Sequence, residues 1–192
     1  MQLKNIQYSI DIEIDDTFTL ESTDNRPYDY IFNPEALTRN DYMKVFSIRI
    51  SKGCDEPTNI ALIGSFYSCT EDCAILKDSQ LTVLMDSTIT VIDLITLSII
   101  RHKEFSDFGT YFSIYSFDNG YIVYGELDII KLDITLQIEW TFSGADIFVL
   151  PDESIIPFNI NGDTIELRDW NGNYYHLDKF GTPIRPDRLL HR

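Results

Sequence analysis

The sequence predicts an all-β chain built from successive antiparallel meanders, and three observations predict it. The 192 residues include 12 Phe, 11 Tyr and 2 Trp beside many Ile, and branched and aromatic side chains suit a pleated, half-buried surface. Few stretches hold a 3.6-residue apolar period for three turns, whereas period-two alternation recurs throughout. Asn-Gly appears three times between apolar runs, at 119–120, 161–162 and 171–172, and it is a strong short-range hairpin signal.

The stretch 121–146 shows the pattern most fully. It reads as strands over 121–124, 128–132 and 137–142, with Asp133-Ile134-Thr135 turning the chain and Trp140 and Phe142 on one face. In chain order, residues 3–15 alternate Ile6, Tyr8, Ile10, Ile12 and Ile14 with polar residues, which predicts one half-exposed strand. Residues 16–34 read as a polar loop. Asn33-Pro34-Glu35 resembles a helix start, an Asn cap with Pro at the first helical position, and predicts one or two turns to about Asn40. Residues 42–51 form the next strand, with Phe46, Ile48 and Ile50 opposite Arg49, and the apolar run 60–68 predicts a strand covered on both faces. Three meanders follow: 80–85, 88–94 and 98–105; then 112–117 with the central stretch; then 155–159, 164–169 and 174–177.

Length fits one domain, 1–192, with an irregular N-terminal β part (1–75), three repeats (76–185) and a tail (186–192). Charge is lopsided: 31 acidic against 15 basic residues, net −16. From Glu104 to Glu166 there are 12 carboxylates and one cation, Lys131. Such a field repels phosphates, so nucleic acid and anionic membrane are excluded as direct ligands, and a basic protein is steered inward. The three cysteines, Cys54, Cys69 and Cys73, are an odd count in a chain too large to need disulfide staples. The N-terminus lacks the basic start and apolar core of a signal peptide. The longest apolar run is broken by Asp93. These features place the chain in a cytoplasm.

The repeat has a residue signature: an apolar-Asp pair, a short turn and an outgoing strand, at Ile92-Asp93, Leu132-Asp133 and Leu177-Asp178, spaced 40 and 45 residues apart. The Asp suits a turn in which it accepts backbone N–H groups. This resembles β-propeller blades, particularly the quinoprotein-type repeat, through IIKLDITLQIEWTF with its Trp140; His102 and Pro183 fall near the matching places of the other two repeats. The resemblance implies blade-like sheets. Either the N-terminal strands add a partial fourth blade, or the meanders form an open or incomplete propeller or curved sandwich; the second is the expectation, with at most one short helix. No quinone or other cofactor site can be matched.

Tests for chemistry yield little. Cys69-x-x-x-Cys73 with Cys54 lacks the second ligand pair of structural zinc. Asn159-x-Asn161-x-Asp163 and Asp169-x-Asn171-x-Asn173 imitate calcium loops but lack the sixth-place Gly and carry Trp170 and Phe180 where the bidentate Glu belongs. His102, His176 and His191 sit in no nucleophile motif, and no phosphate loop occurs. The expectation is therefore a protein without catalytic, cofactor or metal residues. In overall character it resembles bacterial immunity proteins, small and acidic, which implies a basic partner such as a nuclease toxin. Glu126, Asp128 and Asp146, flanking the aromatic strands, are the candidate partner contacts. A propeller-like scaffold, or self-association through open sheet edges, is the alternative, followed by a small hydrolase or carbohydrate binder.

Overall fold

The computed structural model describes residues 1–38, 43–66, 72–106, 109–152, 155 and 157–184. Among them every regular element is a strand. The chain divides into two compact units, Met1–Asp107 and Phe108–Arg192, so the division falls after the first of the three repeats.

Unit 1 begins with β1 (Gln2–Lys4), β2 (Ser9–Ile14), β3 (Tyr30–Phe32), β4 (Met43–Ser51) and β5 (Thr58–Ser65), ordered β1-β2-β4-β5-β3. The single strand expected over 3–15 is two strands. Asn5 breaks it by accepting the Gln7 and Tyr8 N–H groups at 2.9 Å on its side-chain oxygen, which leaves Ile6 fully exposed. Tyr8, Ile10 and Ile12 face inward as the alternation requires. Strand β3 departs from the polar loop expected over 16–34: it is short, largely exposed, and adds in parallel to β5 at the sheet edge. β4 falls within its expected run and β5 is shifted, beginning at Thr58 and ending at Ser65, with residues 42, 67 and 68 of those runs outside the described residues; Phe46, Ile48, Ile60 and Leu62 are wholly buried.

The expected helix after Asn33 is a turn. Asn33 bonds both backbone groups of Leu37, each at 2.9 Å, and Ala36 takes φ 51°. A left-handed residue ends any right-handed coil there, so Pro34 opens a turn only. The rest of that reading, residues 39–40, lies outside the described residues.

A second sheet of unit 1 runs in sequence order: β6 (Ala74–Lys77), β7 (Gln80–Met85), β8 (Thr88–Asp93) and β9 (Ser98–Glu104). Leu81, Val83, Met85 and Ile92 pack on Ile10, Phe46, Ile48 and Leu62 of the first sheet. β9 is half exposed along its length, as suits an outer strand.

Unit 2 repeats this design. β10 (Tyr111–Phe117), β11 (Gly120–Gly125), β12 (Asp128–Asp133) and β13 (Ile138–Ser143) form one meander, and β14 (Phe158–Asn161), β15 (Thr164–Arg168) and β16 (Tyr174–Asp178) another. After β16 the chain folds back, with Pro183 bridged to Leu177 and the Ile184 N–H donating to His176 O at 2.6 Å. The core between the two sheets gathers Ile122, Tyr124, Ile129, Phe148, Phe158, Ile165, Leu167 and Leu177. Trp140 carries the contact between sheets at its outer side: its ring lies on Gly181, where a Cβ would come within 2.6 Å, and its indole N–H donates to Lys179 O at 3.1 Å.

The apolar-Asp signature is a real structural repeat. Asp133 Oδ1 accepts N–H from Thr135 and Gln137, both at 2.8 Å. Asp178 accepts from Phe180 and Thr182, both at 2.9 Å, and Asp93 from Ile95 and Thr96 at 2.9 and 2.7 Å. A residue in the left-handed region closes each turn: Leu136 at φ 67°, Gly181 at 74° and Leu97 at 50°.

Candidate functional site

The three carboxylates singled out by sequence lie around one end of unit 2. A strap over residues 144–148 crosses that end and ties the two sheets together. Phe148 N–H donates to Glu126 O at 2.7 Å, Trp170 N–H to Ile147 O at 2.8 Å, and Ala145 N–H to the Tyr175 hydroxyl at 2.8 Å. Asp146 belongs to this strap: its oxygens accept from Ile147 N–H at 2.8 Å and the Asn171 amide at 2.7 Å. Asp128 opens β12 half buried; burial pushes its carboxyl up, opposed by the Tyr111 hydroxyl. Glu126 shares the backbone of the turn, and its carboxylate has no partner among the described residues.

Asp169, read as part of a calcium-like loop, is wholly buried. It accepts from Asn173 N–H at 2.8 Å, the Asn173 amide at 2.9 Å and the Tyr175 hydroxyl at 2.7 Å. Burial pushes its carboxyl up, but these donors outweigh it and hold the group below the usual carboxylate range. Asn159 and Asn161 sit on β14 and Asp163 in the hairpin that follows, with the Asn159 amide on Glu166 at 3.3 Å. Among the described residues no three His, Cys, Asp or Glu are placed to hold a metal ion. Cys54 is exposed and Cys73 buried; Cys69 and His191 lie outside the described residues.

The side chains best arranged to meet a ligand are in unit 1, where sequence gave no local signal. The β8–β9 register pairs Thr88 with Glu104 and Thr90 with His102, so these four share one face. The Asn33 turn lays Glu35 and Leu37 over that face, and with Thr88, His102 and Glu104 they line a cavity of about 440 Å³, while Thr90 is wholly buried. Gly64 helps to make the room: a Cβ there would come within 2.5 Å of Met85 Sδ and 3.5 Å of Glu35 Oε1.

Glu35 is held up mainly by burial, and the Glu104 charge adds to this, while the Thr88 hydroxyl and Ser65 N–H act the other way. The Thr88 hydroxyl lies 3.4 Å from Glu35 Oε1. Burial lowers the His102 imidazole against the opposing pull of Glu104, so the ring is neutral near pH 7. His102 Nδ1 lies 2.9 Å from Thr90 Oγ1, which leaves Nε2 for another partner. The sequence places His102 between Arg101 and Lys103, yet strand alternation separates them: Arg101 turns toward Gln80, 3.4 Å away, on the side opposite His102. The cavity thus presents two carboxyls, a neutral imidazole and the Thr88 hydroxyl, with no cation among its described lining residues.

Three of the sheets, each of three or four antiparallel strands in sequence order and each with an Asp-capped turn, are propeller-blade-like. No family model matches the chain, and no curated protein matches it. Three solved structures are similar to it in part. BamB from Moraxella catarrhalis is 17% identical, TM-score 0.43, over 56% of this chain and 33% of that one. The Pan2 WD40 domain of Neurospora crassa is 12% identical, TM-score 0.45, over 76% and 49%. The Swd1 (Cps50) propeller domain of Myceliophteria thermophila is 12% identical, TM-score 0.47, over 76% and 57%. The chain therefore spans a third to a little over half of these three.

Proposed function

We propose that this chain is a non-catalytic binding scaffold of propeller type that engages a basic segment of a protein partner, with the Glu35–His102–Glu104 cavity receiving the segment's cation. The observation that carries this reading is the cavity's imbalance. Two carboxyls, one of them half buried, converge from residues 35 and 104 with no cation among the described lining residues, and an uncompensated carboxylate is costly to bury. A guanidinium or ammonium would supply both the missing charge and donors for Glu35, Glu104 and His102 Nε2. The field of a chain with net charge −16 speeds the encounter.

The narrower reading, an immunity protein that neutralises a cationic nuclease, is favoured by the same charge excess, 12 carboxylates to one cation between Glu104 and Glu166. It adds Glu126 as the contact whose carboxylate is free among the described residues.

The cavity is tested by titrating the protein with a hexa-arginine peptide while following the His102 imidazole resonance, assigned through His102→Gln. The His102 signal is expected to shift and saturate, and the double variant Glu35→Gln/Glu104→Gln to bind about tenfold more weakly, roughly 1.4 kcal/mol. Equal binding by the variant would remove the cavity from the account.

A further inference from the structure

A cation with no acid beside it and an unpartnered donor is a candidate anchor for an anion. Arg168, the last residue of β15, is such a group: among the described residues no carboxylate lies within ion-pair distance of its guanidinium, and its Nε is buried without a hydrogen-bond partner. Its guanidinium lies 5.2 Å from the centre of the Tyr174 ring, and its Nη2 is close to Gly172, where a Cβ would be 3.7 Å away. Strand alternation puts Glu166, Arg168, Tyr174 and His176 on the face of the β14–β15–β16 sheet opposite Ile165, Leu167 and Leu177, which fill the core.

A cavity of about 180 Å³ opens beside Arg168. Ile155, Pro157 and Tyr174 line it, with the backbone of β14 and β15 at Phe158 and Leu167 and the polar residues Asn159 and Glu166. That volume is below the roughly 300–1,000 Å³ of pockets that take drug-sized ligands, so the space suits a fragment such as one side chain or a chain end.

We propose that this cavity is a second binding site, specific for a carboxylate carried on a small branched apolar body, with Arg168 as its anchor. The chemistry follows from the groups present. A guanidinium offers a planar edge of two N–H donors that matches a carboxylate bidentately, and the orphaned Nε is half of that edge. The apolar walls take the hydrocarbon body. Tyr174, 77% exposed, lies over the guanidinium as a small cover, and exposed side chains change rotamer in nanoseconds. Glu166 opposes the ligand's charge from the polar side, where it accepts the Asn159 amide at 3.3 Å. The site has the opposite charge preference to the Glu35 cavity and does not depend on that reading.

The ligand chemistry has two sources, a free small acid or the C-terminal carboxylate of a peptide. The experiment follows the Arg168 Nε–H resonance of the full chain by NMR while adding 4-methylpentanoate, 4-methylpentanamide, Ala-Ala-Leu, or Ala-Ala-Leu amide. The proposal expects a saturable downfield shift of the Nε–H signal with the acids and none with either amide. A tripeptide acid that binds about tenfold more tightly than 4-methylpentanoate assigns the site to chain termini; equal or weaker binding assigns it to small acids. Arg168→Lys keeps the charge but loses the fork, and is expected to weaken binding at least about tenfold, while Glu166→Gln strengthens it. The proposal is overturned if the amides shift the signal as the acids do, or if no acid moves it. The wild-type comparison of acid with amide decides this even if a variant fails to fold.

Discussion

Asp169→Ala is expected to destabilise unit 2 by about 3 kcal/mol. The wholly buried carboxylate is the common acceptor for Asn173 N–H, the Asn173 amide and the Tyr175 hydroxyl. Removing it strands three donors, and a buried orphaned donor costs about 1–3 kcal/mol. The damage spreads because Tyr175 also receives the Ala145 N–H of the strap. Both tryptophans, Trp140 and Trp170, lie in unit 2, so tryptophan fluorescence in a urea titration reports this unit alone. The same residue makes stability depend on pH. Its folded pKa is depressed, so its contribution is present above the unfolded value of about 3.9 and is lost as pH falls through the folded pKa. The gap in urea midpoint between wild type and Asp169→Ala should be full at pH 6 and should narrow below about pH 4. An unchanged gap at acid pH would mean that the carboxylate's charge plays no part.

Gly120→Ala is the second substitution with a large expected effect, about 3 kcal/mol, at the upper end of ordinary overpacking. A Cβ at Gly120 would stand 2.0 Å from Leu132 O and 3.0 Å from Asp133 Cα, both backbone atoms, and 2.8 Å from Lys131 Nζ. The flexible end of a side chain could move aside, but a paired strand cannot. Lys131 is also pinned: it is 2% exposed, donates to Leu132 O at 3.0 Å, and is 3.0 Å from Glu139 Oε2. The variant should lower the urea midpoint of unit 2. A neutral result would show that β11 and β12 can separate at this end without cost.

Gly120 also shows where local reading of the sequence succeeds and where it stops. The hairpins were legible because their signals are contiguous: apolar runs, a polar pair, another run. Their register was not. Asn119-Gly120 and Asn161-Gly162 suggest turn centres, but the two residues between paired strands are Asp118-Asn119 and Gly162-Asp163. Asp118 adopts φ 49° and Gly120 enters the strand, because the cross-strand carbonyl leaves no room for a Cβ there. Each Asp-capped turn was legible for the complementary reason, since the carboxylate bonds N–H groups only two to four residues ahead.

The cavity of unit 1 was not legible. Glu35 and Thr88 are 53 residues apart, and what unites them is a turn read as a helix start and a sheet pairing that no local pattern specifies. Composition did mark the acids beside the aromatic strands, but it could not show that Asp146 holds a strap to Asn171 while Glu126 keeps its carboxylate free among the described residues. Likewise Trp140 was visible as part of a blade-like repeat, whereas its seat on Gly181 depends on a turn some 40 residues later.

The central claim is that the chain binds a basic protein through the Glu35–Glu104 cavity, and capture from a whole lysate of the native cell tests it most directly. Wild type and Glu35→Gln/Glu104→Gln are immobilised side by side, loaded at low salt and eluted in steps of sodium chloride, and the released proteins are identified. The account predicts one cationic protein, retained by wild type, released as screening grows through about 0.15–0.5 M salt, and largely absent from the variant. Retention of no basic protein, or equal retention by both, would contradict it.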